Sequence, residues 1–378
     1  MNKVQLCCPT KLLFHDWKEY FKDQISTSNT LLVTTPGFKA RGMVDEFIDT
    51  IGKNNILILD EVEPNPSINQ LQVWIERFNS RSIKSIISLG GGSAIDTGKV
   101  LSFFIDNSSF KNLSKYLFEG LKKNNVNSIP LIVIPTTAGS GAEVTPFATI
   151  WDKGKLKKYS IYSESIRPKI ALLDYKLTLG LPIDITITSG LDTLSHGFES
   201  IWNKNATKET RGIATLSISL ALQALPRLIN NPKDLEARKN MQKSSCFAGV
   251  AISTTKTALA HAISYPLTSN YLLPHGLACS FTLIELLLFN SKEDDGRLLT
   301  LSRELGFKDI EHMAQHLKKL FLTLNIYEKL KIYLPTNIND ILALKGQMNN
   351  PERAVNNMRH ANQNDVEKLL KDSLKEIF

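Results

Sequence analysis

The chain has 378 residues, 42% hydrophobic and 22% charged, with a formal net charge of +8. That length supports two domains with a substantial core, and the composition excludes a disordered, collagen-like or coiled-coil chain. The basic residues are dispersed apart from a short cluster at 153–158, and no nucleic-acid motif accompanies them, so the excess charge favours small anionic substrates and cofactors over nucleic acid. Four cysteines, Cys7, Cys8, Cys246 and Cys279, form no C-x-x-C pair, which points to a reducing, cytoplasmic setting. The first ten residues lack a signal-peptide apolar run, and no stretch approaches the roughly 18 uninterrupted apolar residues of a membrane span.

In chain order, residues 30–34 (TLLVT), 55–59 (NILIL), 85–89 (SIISL) and 131–134 (LIVI) predict buried strands. Helical periodicity falls between them near 41–51, 68–79 and 94–104. Strands alternating with helices predict a parallel, doubly wound, Rossmann-like α/β sheet. Further strands are expected near 146–151, 158–162 and 170–174. The character changes near Leu181-Pro182. Helical patterns then follow at 190–202, 210–229, 235–253, 255–264, 329–334 and 365–377, punctuated by Asn230-Asn231-Pro232 and Asn349-Asn350-Pro351. The expected division is an α/β domain over 1–180 and an all-helical domain over 181–378.

Gly90-Gly91-Gly92-Ser93 follows the strand SIISL and opens a helix containing Asp96 and Lys99. Glycines allow close backbone approach, and a helix N-terminus offers free N–H groups and a positive dipole end, so this is a candidate pyrophosphate cradle. It matches neither G-x-G-x-x-G nor the P-loop pattern, and a tight turn without ligand fits the residues too. Pro135 to Gly141 (PTTAGSG) follows the strand LIVI and places Thr136, Thr137 and Ser140 where a nucleotide cleft would lie, at the carboxyl end of a parallel strand.

Asp192 and His196 are four residues apart, on one face of a predicted helix. His261 lies in a helical pattern (ALAHA), and His275 follows Pro274 at an expected helix start. One carboxylate and three imidazoles suit a borderline divalent ion such as iron(II) or zinc. Spacing supports the first pair only; it does not unite His261 and His275 with it. His312 and His316 share the same four-residue spacing without a carboxylate, and a solvated helix face accounts for them.

These segments together resemble the iron-containing (group III) alcohol dehydrogenase family over nearly the whole chain. The carriers are 90–99 (GGGSAIDTGK), 134–143 (IPTTAGSGAE), 190–199 (GLDTLSHGFE), His261 and Pro274-His275-Gly276. The resemblance implies an N-terminal dinucleotide-binding domain and an all-α C-terminal domain, a dehydroquinate synthase-like architecture. It implies one metal ion, Fe2+ or Zn2+, held by Asp192, His196, His261 and His275. It also implies a homodimer, and hydride transfer between a nicotinamide and an aldehyde or alcohol, with the metal as Lewis acid. The cofactor residues it implies are Thr35, Gly91, Gly92, Ser93, Asp96, Thr136, Thr137 and Ser140. One departure is Tyr265, which stands where many members carry a further histidine. It is a candidate pocket wall or proton relay, and its phenol is far less acidic than an imidazolium.

Residues 145–152 (TPFATIWD), 199–203 (ESIWN) and 253–280 are similar to one branch, the phosphonoacetaldehyde reductases, implying reduction to 2-hydroxyethylphosphonate. Lys256, with Thr254 and Thr257 beside it, is the candidate anchor for the phosphonate. Thr35 stands where NAD-preferring members often have Asp, and Lys39 and Arg41 follow, which favours NADP(H) over NAD(H). The alternatives are a general short-chain alcohol or 1,3-propanediol-type dehydrogenase and, in another class, a metal- and NAD-dependent lyase or cyclase of the dehydroquinate synthase type.

Overall fold

Short apolar runs build the first unit in the computed structural model, which describes residues 8–22, 29–52, 56–105, 112–119, 127–155, 157–349 and 351–378. Among them are the strands β1 (Lys11–Leu13), β2 (Thr30–Val33), β3 (Ile56–Leu59), β4 (Ser85–Gly90), β5 (Leu131–Pro135), β6 (Phe147–Asp152), β7 (Lys157–Tyr162) and β8 (Ile170–Leu172). Asn55 and Asn350, singled out above, lie outside the described residues.

Six strands form one sheet in the order β1-β8-β5-β4-β2-β3, every neighbouring pair parallel. Alternate side chains point to opposite faces, and both faces are buried. Leu31, Val33, Ile86, Leu131 and Val133 join one apolar cluster with Leu71, Trp74 and Phe103. Leu32, Ile87 and Ile134 join another with Trp17, Phe38 and Phe47. Burial on both faces is why these strands read as continuous apolar runs. The expected strands near 146–151 and 158–162 instead pair with each other as the antiparallel ribbon β6–β7. β8 enters the main sheet between β1 and β5.

The second unit is helical and comprises 179–378 with the segment Ala138–Gly141. Helix Ile183–Ile201 packs against Lys208–Asn230 and Leu235–Thr255. Helix Lys208–Asn230 starts on a capping box made by Thr207 and Thr210, which satisfies free N–H groups at its N-terminus. By length and composition it could cross a membrane, but here it is a packing element of this unit. The helix expected over 255–264 begins only at Leu259. Lys256 adopts φ 62° and ψ 177°, which no helix can accommodate, and the chain breaks there. Of the helical pattern expected at 329–334, only 329–331 is helical, as the last turn of helix Ile326–Lys331; the chain turns at 332–334.

Candidate metal centre and nucleotide loops

Helix Ile183–Ile201 carries Asp192, His196 and Glu199 at i, i+4 and i+7, one buried stripe. Helix Leu259–Tyr271 brings His261 in its first turn, and helix His275–Ser280 begins on His275 itself. Gly276 follows because no other residue fits: a Cβ there would lie 1.7 Å from the Thr188 carbonyl oxygen. That close approach seats the His275 helix directly on the backbone of the Asp192 helix.

The Nε2 atoms of His196, His261 and His275 lie 3.6, 3.5 and 3.9 Å from Asp192 Oδ1. The His196 and His261 rings stack at 4.7 Å, and His261 meets His275 edge-on at 5.2 Å. His261 Nε2 is buried with no good hydrogen-bond partner, its approach to Asp192 being too long. A buried polar atom left so is costly unless something else satisfies it. A divalent cation would do so, and one carboxylate with three imidazoles is a suitable donor set. The residues present therefore fit a metal ion.

Two further residues complete the cluster. Glu199 is fully buried and accepts from the Ala258 and His261 amides at 2.9 and 3.1 Å. It also holds His261 Nδ1 at 2.7 Å, which leaves Nε2 facing Asp192. A carboxylate thus caps one helix N-terminus and orients an imidazole together. Cys279, also fully buried, places Sγ 3.3 Å from Asp192 Oδ1. Neither residue is among the site residues expected from the motifs above. The signals were present: Glu199 continues the Asp192/His196 stripe, and Cys279 follows His275 by four residues.

Charge reinforces the arrangement. Burial raises the Asp192 carboxyl, but the His196, His275 and His261 imidazoles outweigh it and hold the group well below the usual range. Burial, with the neighbouring His261 charge, lowers His196 and outweighs the opposing pull of Asp192. Burial also opposes charge on His261, yet Glu199 and the contact with Asp192 push it up to about 10. Burial and the nearby Asp192 charge drive the Cys279 thiol upward.

Tyr265 stacks parallel on His275 at 5.8 Å and meets His261 edge-on at 6.4 Å, with the Arg353 guanidinium 4.6 Å over its ring. Lys256 and Thr254 are exposed and Thr257 half-buried. The Lys256 carbonyl accepts from Asn203 Nδ2 at 3.2 Å, and the Thr257 carbonyl from Asn356 Nδ2 at 2.9 Å.

In the α/β unit, the two loops meet at the carboxyl ends of β4 and β5. The Thr136 amide donates to the Gly90 carbonyl at 3.0 Å, and a Cβ on Gly91 would lie 3.2 Å from the Thr137 side chain. Helix Gly92–Phe104 starts from Gly91 with no side-chain cap. The Ser93 hydroxyl accepts from the Asn65 amide at 3.2 Å. Asp96 turns its carboxylate onto the Thr149 amide at 2.9 Å. Thr35 is the N-cap of helix Pro36–Ala40. Lys39 pairs with Asp60 at 2.7 Å, and Arg41 lies 4.6 Å over the Phe38 ring. Ser140 falls in the segment that belongs to the helical unit. His312 and His316 are exposed beside Phe307.

A parallel α/β unit with a glycine-rich turn, and a helical unit carrying one carboxylate among three imidazoles, fit a metal-dependent, nucleotide-linked enzyme. Residues 9–175 match iron-containing alcohol dehydrogenase, and residues 186–374 match the C-terminal part of the Fe-containing alcohol dehydrogenase family. The chain belongs to the iron-containing alcohol dehydrogenase family. It is 30% identical to NAD-dependent methanol dehydrogenase of Bacillus methanolicus, over 75% of this chain and 74% of that one. It is 29% identical to 1-propanol dehydrogenase PduQ of Citrobacter freundii, over 71% and 68%. The crystal structure of sulfoacetaldehyde reductase from Bifidobacterium kashiwanohense in complex with NAD+ superposes with a TM-score of 0.87, at 26% identity and 98% coverage of both chains.

Proposed function

We propose that the protein reduces phosphonoacetaldehyde to 2-hydroxyethylphosphonate with a nicotinamide cofactor. The observation that carries the reading is the convergence of three imidazole nitrogens on Asp192 Oδ1. Asp192, His196, His261 and His275 would hold the ion. When bound, the ion supplies Lewis acidity toward a carbonyl oxygen, and the dinucleotide supplies the hydride. Glu199 turns His261 Nε2 toward Asp192, where an arriving ion would displace its proton, and burial favours the neutral form of His196. Tyr265 forms a wall against His275. Thr136, Thr137 and the uncapped start of helix Gly92–Phe104 would take the cofactor phosphates, with Gly91, Gly92 and Ser93 at that helix start.

The substrate assignment rests on the similarity of segments 145–152, 199–203 and 253–280 to phosphonoacetaldehyde reductases. The likeness to a sulfoacetaldehyde reductase supports it, because both aldehydes carry an anionic tetrahedral group beside a two-carbon aldehyde. Lys256 would bind that anion, flanked by Thr254 and Thr257. Thr35 offers no carboxylate to repel a 2′-phosphate, which supports NADP(H); the engagement of Lys39 by Asp60 leaves NAD(H) a close competitor. A second reading, a short-chain alcohol dehydrogenase, is favoured by the methanol and 1-propanol dehydrogenase relatives.

The test is NADPH and NADH oxidation by metal-loaded protein with phosphonoacetaldehyde, sulfoacetaldehyde, propanal and glycolaldehyde. The proposal expects the phosphonate to give the highest kcat/KM. Equal turnover of propanal would overturn it in favour of the second reading.

A further inference from the structure

Cys279 has no part in the four-residue ligand set, yet it stands among it. Helix His275–Ser280 presents it one turn after His275. Its Sγ lies 3.3 Å from Asp192 Oδ1 and 3.6 Å from the Gly276 carbonyl. Asp192, His261, His275 and Cys279 offer ligand atoms that all lie within 4.8 Å of one another, a complete four-donor group that does not need His196. His261 Nε2, on a residue 1% exposed, is aimed into the same space without a good partner. The thiol is held there by backbone contacts: Ser195 Oγ donates to the Cys279 carbonyl at 3.0 Å, and Gly276 abuts Thr188.

We propose that Cys279 is a reserve ligand that gives this centre a second, thiophilic binding mode. Building on the metal-centre reading above, Asp192, His261, His275 and Cys279 together take zinc, cobalt or cadmium, whereas iron(II) uses the three imidazoles with Asp192. Sulfur favours the softer ions, and imidazole and carboxylate serve either class. In the thiophilic mode the Cys279 S–H bond breaks, its proton leaves to solvent, and a sulfur–metal bond forms; nothing is oxidised or reduced. The thiol would make metal choice a property of this helix turn and not only of metal supply.

The experiment loads metal-free full-length protein with Co2+ and records near-ultraviolet absorption. Wild type is expected to show sulfur-to-cobalt charge transfer that Cys279→Ser and Cys279→Ala both lack. Chelator competition should show Zn2+ affinity falling about tenfold or more in both variants, with Fe2+ affinity changed by less than about threefold. Circular dichroism confirms that each variant is folded, and agreement of the two variants guards against a local defect in one. No charge-transfer band in wild type, a band that survives both substitutions, or unchanged Zn2+ affinity overturns the proposal. His261→Ala separates it from the parent reading. If that variant still binds metal like wild type, the metal centre itself is wrong. If it loses metal while Cys279→Ser does not, only the role of the thiol fails.

Discussion

Lys256 joins two separable effects at one residue. Its φ of 62° with ψ of 177° lies in a region that only glycine occupies freely. Such a residue stores about 1–3 kcal/mol of strain. Lys256→Gly releases it but adds about 0.4–1 kcal/mol of unfolded-chain entropy, so the net gain is at most about 2.5 kcal/mol. Lys256→Ala keeps a Cβ, and with it the strain. If the ammonium anchors the phosphonate, both variants lose a charge-assisted hydrogen bond worth about 1.5–3 kcal/mol, or roughly ten- to a hundredfold in kcat/KM. That loss should fall on phosphonoacetaldehyde and spare propanal. The assays are thermal unfolding of Gly and Ala variants side by side, and kcat/KM for both aldehydes. A glycine variant no more stable than the alanine variant refutes the strain argument. An unchanged substrate ratio in both refutes the anchor.

Glu199→Gln should keep the amide contacts at the helix start but weaken the hold on His261, lowering metal affinity about ten- to a hundredfold; Glu199→Ala should also lower the Tm of the metal-free protein. Metal competition titrations and unfolding scans read the two effects separately. Burial pushes the Glu143 carboxyl from 4.5 up to about 7. A raised acid stabilises the fold fully below pH 4.5, and that contribution is lost as pH rises through about 7. Glu143→Gln should therefore be more stable than wild type at pH 8, by on the order of 3 kcal/mol at most, with the advantage shrinking toward pH 5; a gain independent of pH contradicts the reasoning. Gly276→Ala should lift the His275 helix off Thr188, costing about 1–3 kcal/mol and lowering metal content measured by elemental analysis.

The sheet was legible because its strands are buried on both faces and separated by amphipathic helices. Period and order sufficed for β2, β3, β4 and β5. The β6–β7 ribbon and the place of β8 were not, since pairing partners leave no trace in a single strand's own residues. In the site, Asp192 and His196 were visible as a helical pair. His261 and His275 came to it through family resemblance, because proximity across sixty or more residues is a property of packing. Glu199 went unread although it extends the same stripe. Its chemistry depends on amides of another helix, and nothing local to residue 199 announces them.

Glu199 also ties folding to occupancy. One carboxylate receives two amide protons at the start of helix Leu259–Tyr271 and steadies the imidazole that would face an ion. Helix ends normally fray, opening at little free-energy cost. Here fraying would release the imidazole, so whatever binds between the rings must also resist the opening. The Ala258 and His261 amides are thus natural reporters. Their hydrogen-exchange protection should rise with metal loading, which would let the state of a buried ion be followed from the backbone alone.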